Sequence, residues 1–196
     1  MRRLLFITHG EVEIDPNVAV PDWGLSAVGR ARHDVFSASD YVRGVAHVFS
    51  SAEKKARDGA EILGDALGLS YQVVEALHEN DRSATGYLPK AEFERTADAF
   101  FANPNESIRG WERAVDAQAR VIAALQGIVE TAPDGDIAVV AHGGVGALTL
   151  CHVMGVAIER KWDQPGGGGG NVIAINLPDW SLNHGWRPIE DVDKAP

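Results

Sequence analysis

Apolar residues in this chain follow two rhythms. Short unbroken runs predict buried strands: "LLFIT" at residues 4–8, "VAHVFSS" ending near Ser50, "YQVV", and "DIAVVAH" further on. Between these runs, apolar residues recur every three or four positions, the spacing of a helix with one buried face. Ser26 is placed to cap a helix with Ala27, Val28, Ala31 and Val35 inward. The next helix carries Ala56, Ala60, Leu63 and Leu67 on its inner stripe and stops at Gly68. Pro89 opens a third that buries Phe93, Ala97 and Phe100. Ser107 caps a long fourth with Trp111, Val115, Ile122, Leu125 and Val129 in line, and Gly143 begins a fifth. The stretch "DPNVAVPDWG" is a loop, punctuated by Pro16, Pro21 and Gly24. After "PGGGGG", Pro165 to Gly170, two more strands are predicted, "NVIAINL" and "SLNHGW". The glycine run reads as a mobile loop within the fold, not a linker between domains.

Strands alternating with helices predict an α/β fold, a three-layer α/β/α sandwich around a mostly parallel sheet. The 196 residues suit one domain, 1–196, with enough mass for a sizeable core. Residues 78–107 are more polar and irregular, and are expected to form a lid or specificity segment. An apolar share of 45% and a charged share of 23% are ordinary for a folded protein. The net charge of −10 repels nucleic acid and anionic membranes, so neither is an expected partner. An anionic small substrate would need a locally basic pocket. With Cys151 as the only cysteine no internal disulfide forms, which fits an expected cytoplasmic location. The apolar run in "MRRLLFITHGE" is too short for a signal peptide, and no run approaches the ~18 apolar residues of a membrane span.

Two of these predicted strands end on the same word. "LLFITHGEV" stops at His9-Gly10 and "IAVVAHGGV" at His142-Gly143. Ligands of open α/β sheets bind beyond the carboxyl ends of the strands. If the two strands are neighbours, both imidazoles face one crevice. Glycine after each histidine lets the backbone approach a ligand and point amide N–H groups at it. A helix starting at Gly143 adds partial positive charge. Two imidazoles, free amides and a helix dipole describe an oxyanion site, and phosphate fits it. No close-spaced His, Asp and Glu cluster of metal-ligand type is seen, so neither metal nor other cofactor is expected.

"FITHGE", "FSSAEKKARDGAEIL", "LHEN" and "VVAHGG" stand in an order that resembles the histidine phosphatase superfamily, also called phosphoglycerate mutase-like. "GLSAVGRAR" is similar to its usual Leu-Ser/Thr-x-x-Gly helix start. The resemblance spans nearly the whole chain and implies a phosphoglycerate mutase-like fold. It also has departures. The family's arginine before the first histidine is Thr8 here, the proline after Ser-Ser is Ala52, and the next arginine falls on Lys55. Lysine gives a point charge without a bidentate fork. Losing a hydrogen bond to a charged group, worth roughly 1.5–3 kcal/mol, weakens phosphate binding roughly 10- to 150-fold unless another cation substitutes. Arg82 could reach the mouth of the site, whereas Arg57 is expected on the solvent side of its helix.

The resemblance implies that His9 attacks phosphorus and becomes a phosphohistidine. One of its ring nitrogens should donate to a backbone carbonyl. His142 and Lys55 would bind the non-bridging oxygens, with Thr8, Gly10, Gly143 and Arg82 as further phosphate contacts. Glu79, in the segment matching Leu-x-Glu, would be the general acid, with Asp81 as its competitor. The expected function is therefore phosphomonoester hydrolysis without a metal, reduced or altered by the two missing arginines. A relative with little or no activity that binds a phosphorylated ligand or protein is the alternative, and phosphoglycerate-mutase-type transfer the third. The expected partner is a small phosphorylated substrate or phosphate.

Overall fold

Alternate side chains of a strand point to opposite faces of its sheet, and this chain uses both faces. In β1 (Arg2–Thr8), Leu4 and Phe6 join one apolar cluster while Leu5 and Ile7 join another. β4 (Asp136–Ala141) repeats the division, with Ile137, Val139 and Ala141 on the first side and Ala138 and Val140 on the second. Continuous apolar runs are what two covered faces require. The computed structural model describes residues 2–132, 134–166 and 168–194.

The remaining elements are α1 (Ala27–Ser37), β2 (Val45–Ser50), α2 (Lys54–Leu67), β3 (Tyr71–Val73), α3 (Lys90–Ala102), α4 (Ala114–Thr131), α5 (Gly143–Met154), β5 (Asn171–Leu177) and β6 (Ser181–Pro188). The six strands form one sheet in the order β3-β2-β4-β1-β5-β6. β3, β2, β4 and β1 run parallel; β5 is antiparallel to β1 and to β6. The first cluster lies under α3, α4 and α5, with Phe100, Leu125 and Leu148 buried in it. The second lies under α1 and α2, with Phe36, Ala60 and Leu63. This is the expected three-layer α/β/α sandwich. No helix among the described residues is long and apolar enough to cross a membrane.

Three local expectations change. α1 is capped by Ser26, whose Oγ accepts from Gly29 N at 3.1 Å, but its inner face is not the apolar one. Ala27, Val28, Ala31 and Val35 are exposed; Gly29, His33, Phe36 and Ser37 are buried. α4 starts at Ala114, well after Ser107. Ser107 instead donates to Trp111 O at 2.7 Å across a tight turn whose Arg109 has φ 55°. Trp111 is buried ahead of the helix, where its Nε1 donates to Thr85 Oγ1 at 2.8 Å. Of the glycine run, Gly167 lies outside the described residues, and Gly169 and Gly170 are tethered. Gly170 N donates to His9 O at 2.8 Å, and Arg32 donates to the carbonyls of both.

Candidate active site

The site assembles from three strand ends in register. Thr8 pairs with Ala141 and Ser50 with Val140, so β1, β4 and β2 stop at one level. The next residues are His9, His142 and Ser51. His9 N donates to Ala141 O and Ser51 N to Val140 O, each at 3.0 Å, which carries the pairing one step past the sheet. The imidazole centroids of His9 and His142 are 5.4 Å apart, edge to face at 66°.

His9 Nδ1 lies 2.8 Å from Gly10 O. A carbonyl only accepts, so Nδ1 carries the proton and Nε2 keeps its lone pair. Burial, reinforced by His142 and Lys55, pushes the His9 pKa down to about 3. His142 is fully buried, which lowers its pKa against the pull of Glu53 and Glu79. Both rings are thus neutral at pH 7. His142 Nε2 lies 2.8 Å from Ser51 Oγ and 3.3 Å from Glu53 Oε1, and its Nδ1 has no partner among the described residues.

Glu53 was not among the residues singled out, although it lies inside the quoted "SSAEKKAR" word. Its Oε2 binds Lys55 Nζ and its Oε1 accepts from Glu79 N at 3.1 Å. Burial pushes this carboxyl up, but His142, Lys55 and the Glu79 amide bring it down to about 2. With His142 neutral at pH 7, Lys55 supplies the charge that keeps it ionised. Lys55 is buried and also donates to Val20 O at 3.0 Å. Its ammonium is therefore committed to protein oxygens.

Glu79 holds the N-terminus of α5. Its two oxygens accept from Gly144 N and Val145 N, each at 3.0 Å, and Arg82 Nη2 is 3.1 Å away. The amides expected to await an anion have the protein's own carboxylate. A Cβ on Gly144 would sit 2.6 Å from Glu79 Oε1, so the approach needs glycine. Burial raises the Glu79 pKa, yet Arg82, His142 and the helix amides win and lower it overall. Asp81, by contrast, is exposed and accepts from Ser83 N in its own turn.

The expectation for the Gly10 amide also changes. Gly10 N donates to His33 Nε2 at 3.1 Å, and Gly10 packs where a Cβ would lie 2.9 Å from Gly29 Cα. This glycine serves the crossing of strand end and α1. Thr8 is fully buried, with its hydroxyl between Gln164 Oε1 at 2.7 Å and Asn171 N at 2.9 Å. Arg82 does reach the mouth, with its guanidinium 4.9 Å over the Phe93 ring and 5.0 Å over that of Trp111. Arg57 is exposed.

His9, Gly10, Glu79, Arg82 and Gly143 open into a cleft of about 580 Å³, whereas Thr8, Lys55 and His142, expected to touch phosphate, are buried and do not line it. His9, Glu79, Arg82, Gly143 and Gln164 line it together with the aromatic rings of Phe93, Phe101 and Trp111 and the charged Glu94, Arg160 and Asp163. Among the described residues, no group of three or more His, Cys, Asp or Glu stands together as a metal site would. Besides Glu53, the sequence reading passed over His33, Ser51, Gln164 and Asn171.

A mixed sheet with two histidines meeting at its carboxyl edge places the chain in a recognised class. The model of the histidine phosphatase superfamily (branch 1) matches residues 4–179, and the chain belongs to that superfamily. Solved structures share the fold. A mycobacterial glucosyl-3-phosphoglycerate phosphatase is 23% identical with a TM-score of 0.76, over 95% of this chain and 96% of the other. That enzyme has also been solved with inorganic phosphate and with VO3. Bacillus stearothermophilus YhfR is 21% identical with a TM-score of 0.79, over 94% and 95%. A putative alpha-ribazole-5'-P phosphatase from Escherichia coli is 18% identical with a TM-score of 0.74, over 96% and 98%. No curated protein matches the chain.

Proposed function

We propose that this protein is a phosphomonoesterase working through a phosphohistidine on His9. The observation that carries the reading is a neutral His9 on the cleft lining, its Nδ1–H held by Gly10 O, its Nε2 without a hydrogen bond among the described residues, and the ring of His142 5.4 Å away. Nε2 attacks phosphorus as the ester P–O bond breaks, and Glu79 gives its proton to the departing oxygen. Water then attacks the phosphohistidine, Glu79 takes a proton back, the P–N bond breaks, and inorganic phosphate leaves. The phosphate and VO3 complexes of the mycobacterial neighbour support a small phosphorylated substrate. Residues 78–107 supply Glu79, Arg82 and the aromatic rings Phe93 and Phe101 to the cleft, which fits a segment that selects the leaving group.

One observation favours a second reading, a relative of low activity that binds a phosphorylated ligand. The cations Lys55 and Arg82 are matched by Glu53 and Glu79, so little net charge draws a phosphate dianion. A chromogenic phosphomonoester incubated with wild type and with His9→Ala separates the two. The main reading expects turnover by wild type and a loss of at least a thousandfold in the variant. Phosphate-ester binding without turnover would establish the second reading, and turnover that survives His9→Ala would remove His9 as nucleophile.

A further inference from the structure

Thr8 stands beside His9, and its hydroxyl has a defined direction. Thr8 Oγ1 accepts from Asn171 N at 2.9 Å, and of the two acceptors near its own proton, Gln164 Oε1 at 2.7 Å and Asn171 O at 3.3 Å, Gln164 is the shorter. Asn171 Nδ2 also donates to Gln164 Oε1, at 3.1 Å. Asn171 Nδ2 shares its hydrogens with Pro165 O and Gly169 O, each at 3.2 Å, and the shortest contact at Gln164, from the Thr8 hydroxyl, turns Oε1 toward Thr8 and the NH2 group the other way. Thr8 and Asn171 are both buried, which holds this orientation rigidly. Gln164 Nε2 reaches over Gly143, where a Cβ would lie only 2.1 Å from it. Gly143 directly follows His142, and Gln164 lines the same cleft as His9. Among the described residues Nε2 makes no hydrogen bond, and Gln164 is part-exposed on the cleft lining, so the amide donor is open to the cleft.

We infer that Gln164 is a phosphate-binding residue, its Nε2–H donating to a non-bridging oxygen of the phosphoryl group held at His9. Thr8 is its positioning residue, acting through Oε1 without touching the ligand. This inference rests on the phosphohistidine reading for its placement at His9. The arrangement replaces positive charge by a preorganised neutral dipole, which needs no reorientation when the anion arrives. Glycine at 143 is what admits it. An amide also differs from a guanidinium in effect: it adds a directed hydrogen bond without raising the net charge of the cleft.

The test measures binding of inorganic phosphate and of vanadate, together with kcat and KM for a chromogenic phosphomonoester. The proteins are wild type, Gln164→Ala, Gln164→Glu, Thr8→Val, Thr8→Ser and, for the dependence of turnover on the nucleophile, His9→Ala, each checked for a native thermal transition. Gln164→Ala is expected to weaken phosphate binding about 10- to 150-fold, the value of one hydrogen bond to a charged group. Gln164→Glu, the same shape carrying a negative charge, is expected to lose more. Thr8→Val is expected to raise KM or the phosphate Kd several-fold with kcat less affected, and Thr8→Ser to restore it, which a merely structural role would not do. Folded Gln164 variants that bind phosphate as tightly as wild type overturn the inference while leaving His9-dependent turnover, and so the main reading, intact. Phosphate binding that depends on Gln164 without His9-dependent turnover supports the inference and removes the main reading. A wild type that binds neither anion overturns the inference, and one that also shows no turnover overturns both.

Discussion

Glu53 shows how one side chain sets the electrostatics of this pocket. It sits at the entry to α2 with Lys55 on one oxygen and His142 and the Glu79 amide near the other. A carboxylate so placed occupies the strongest local cation and repels an incoming phosphate. Glu53→Gln is therefore expected to tighten inorganic phosphate binding, by about tenfold for roughly 1.4 kcal/mol of relieved repulsion. Titration calorimetry on the two proteins checks it, and unchanged or weaker binding would mean that Lys55 cannot turn to the ligand. His9 and His142 were legible because each ends an apolar run with glycine after it. Glu53 was visible only as another charge in a basic helix start. Gln164 was not legible at all, since its meaning comes from Thr8, 156 positions away, and from a missing Cβ at Gly143.

Elements were legible where packing alone decides them, and misread where another demand intervenes. Counting apolar residues put Val28 and Val35 inside α1, yet that helix turns His33 inward to accept from Gly10 N behind the nucleophile. Ser107 had the chemistry of a cap, but burial of Trp111 delays α4 until Ala114. α5 was placed correctly, while the anion at its N-terminus is Glu79. That contact has a kinetic consequence. The helix amides and Arg82 hold Glu79 below the usual carboxylate range, so at neutral pH only a small fraction carries the proton a leaving alkoxide needs. His9 stays neutral down to about pH 3 and does not limit the acid side. The rate on an alkyl phosphate, relative to a nitrophenyl phosphate that needs no acid, is expected to rise as pH falls from 8 to 5. In Glu79→Gln that ratio should be low and flat; a wild-type ratio independent of pH would take the acid role from Glu79.

For the whole molecule, the layered α/β architecture was legible because strands buried on both faces and helices buried on one leave different periods in the sequence. Strand direction leaves no such trace, and the antiparallel pairing of β5 and β6 is seen only in the folded sheet. The site's buried histidines also tie the fold to pH. His33, pushed down to about 4 by burial and Arg32, is neutral in the folded protein but takes up a proton below about 6.5 when unfolded. Its contribution is therefore complete above pH 6.5 and is lost as pH falls to about 4, on the order of 3 kcal/mol in all. His9 adds a loss of the same sign, continuing to about pH 3. Urea midpoints are expected to fall between pH 7 and 5, where ordinary carboxylates are still ionised. They should fall less in His33→Gln, which keeps an acceptor for Gly10 N. Equal slopes in the two proteins would show that His33 is not the group responsible.

The central claim is chemical, and a trapped intermediate tests it most directly. Wild-type protein mixed with a phosphomonoester, quenched in alkali within the first turnovers and digested, should carry an acid-labile phosphoryl group on the peptide containing His9. The same peptide from His9→Ala should carry none. Steady hydrolysis with no label at residue 9, or label on another side chain, would contradict the account.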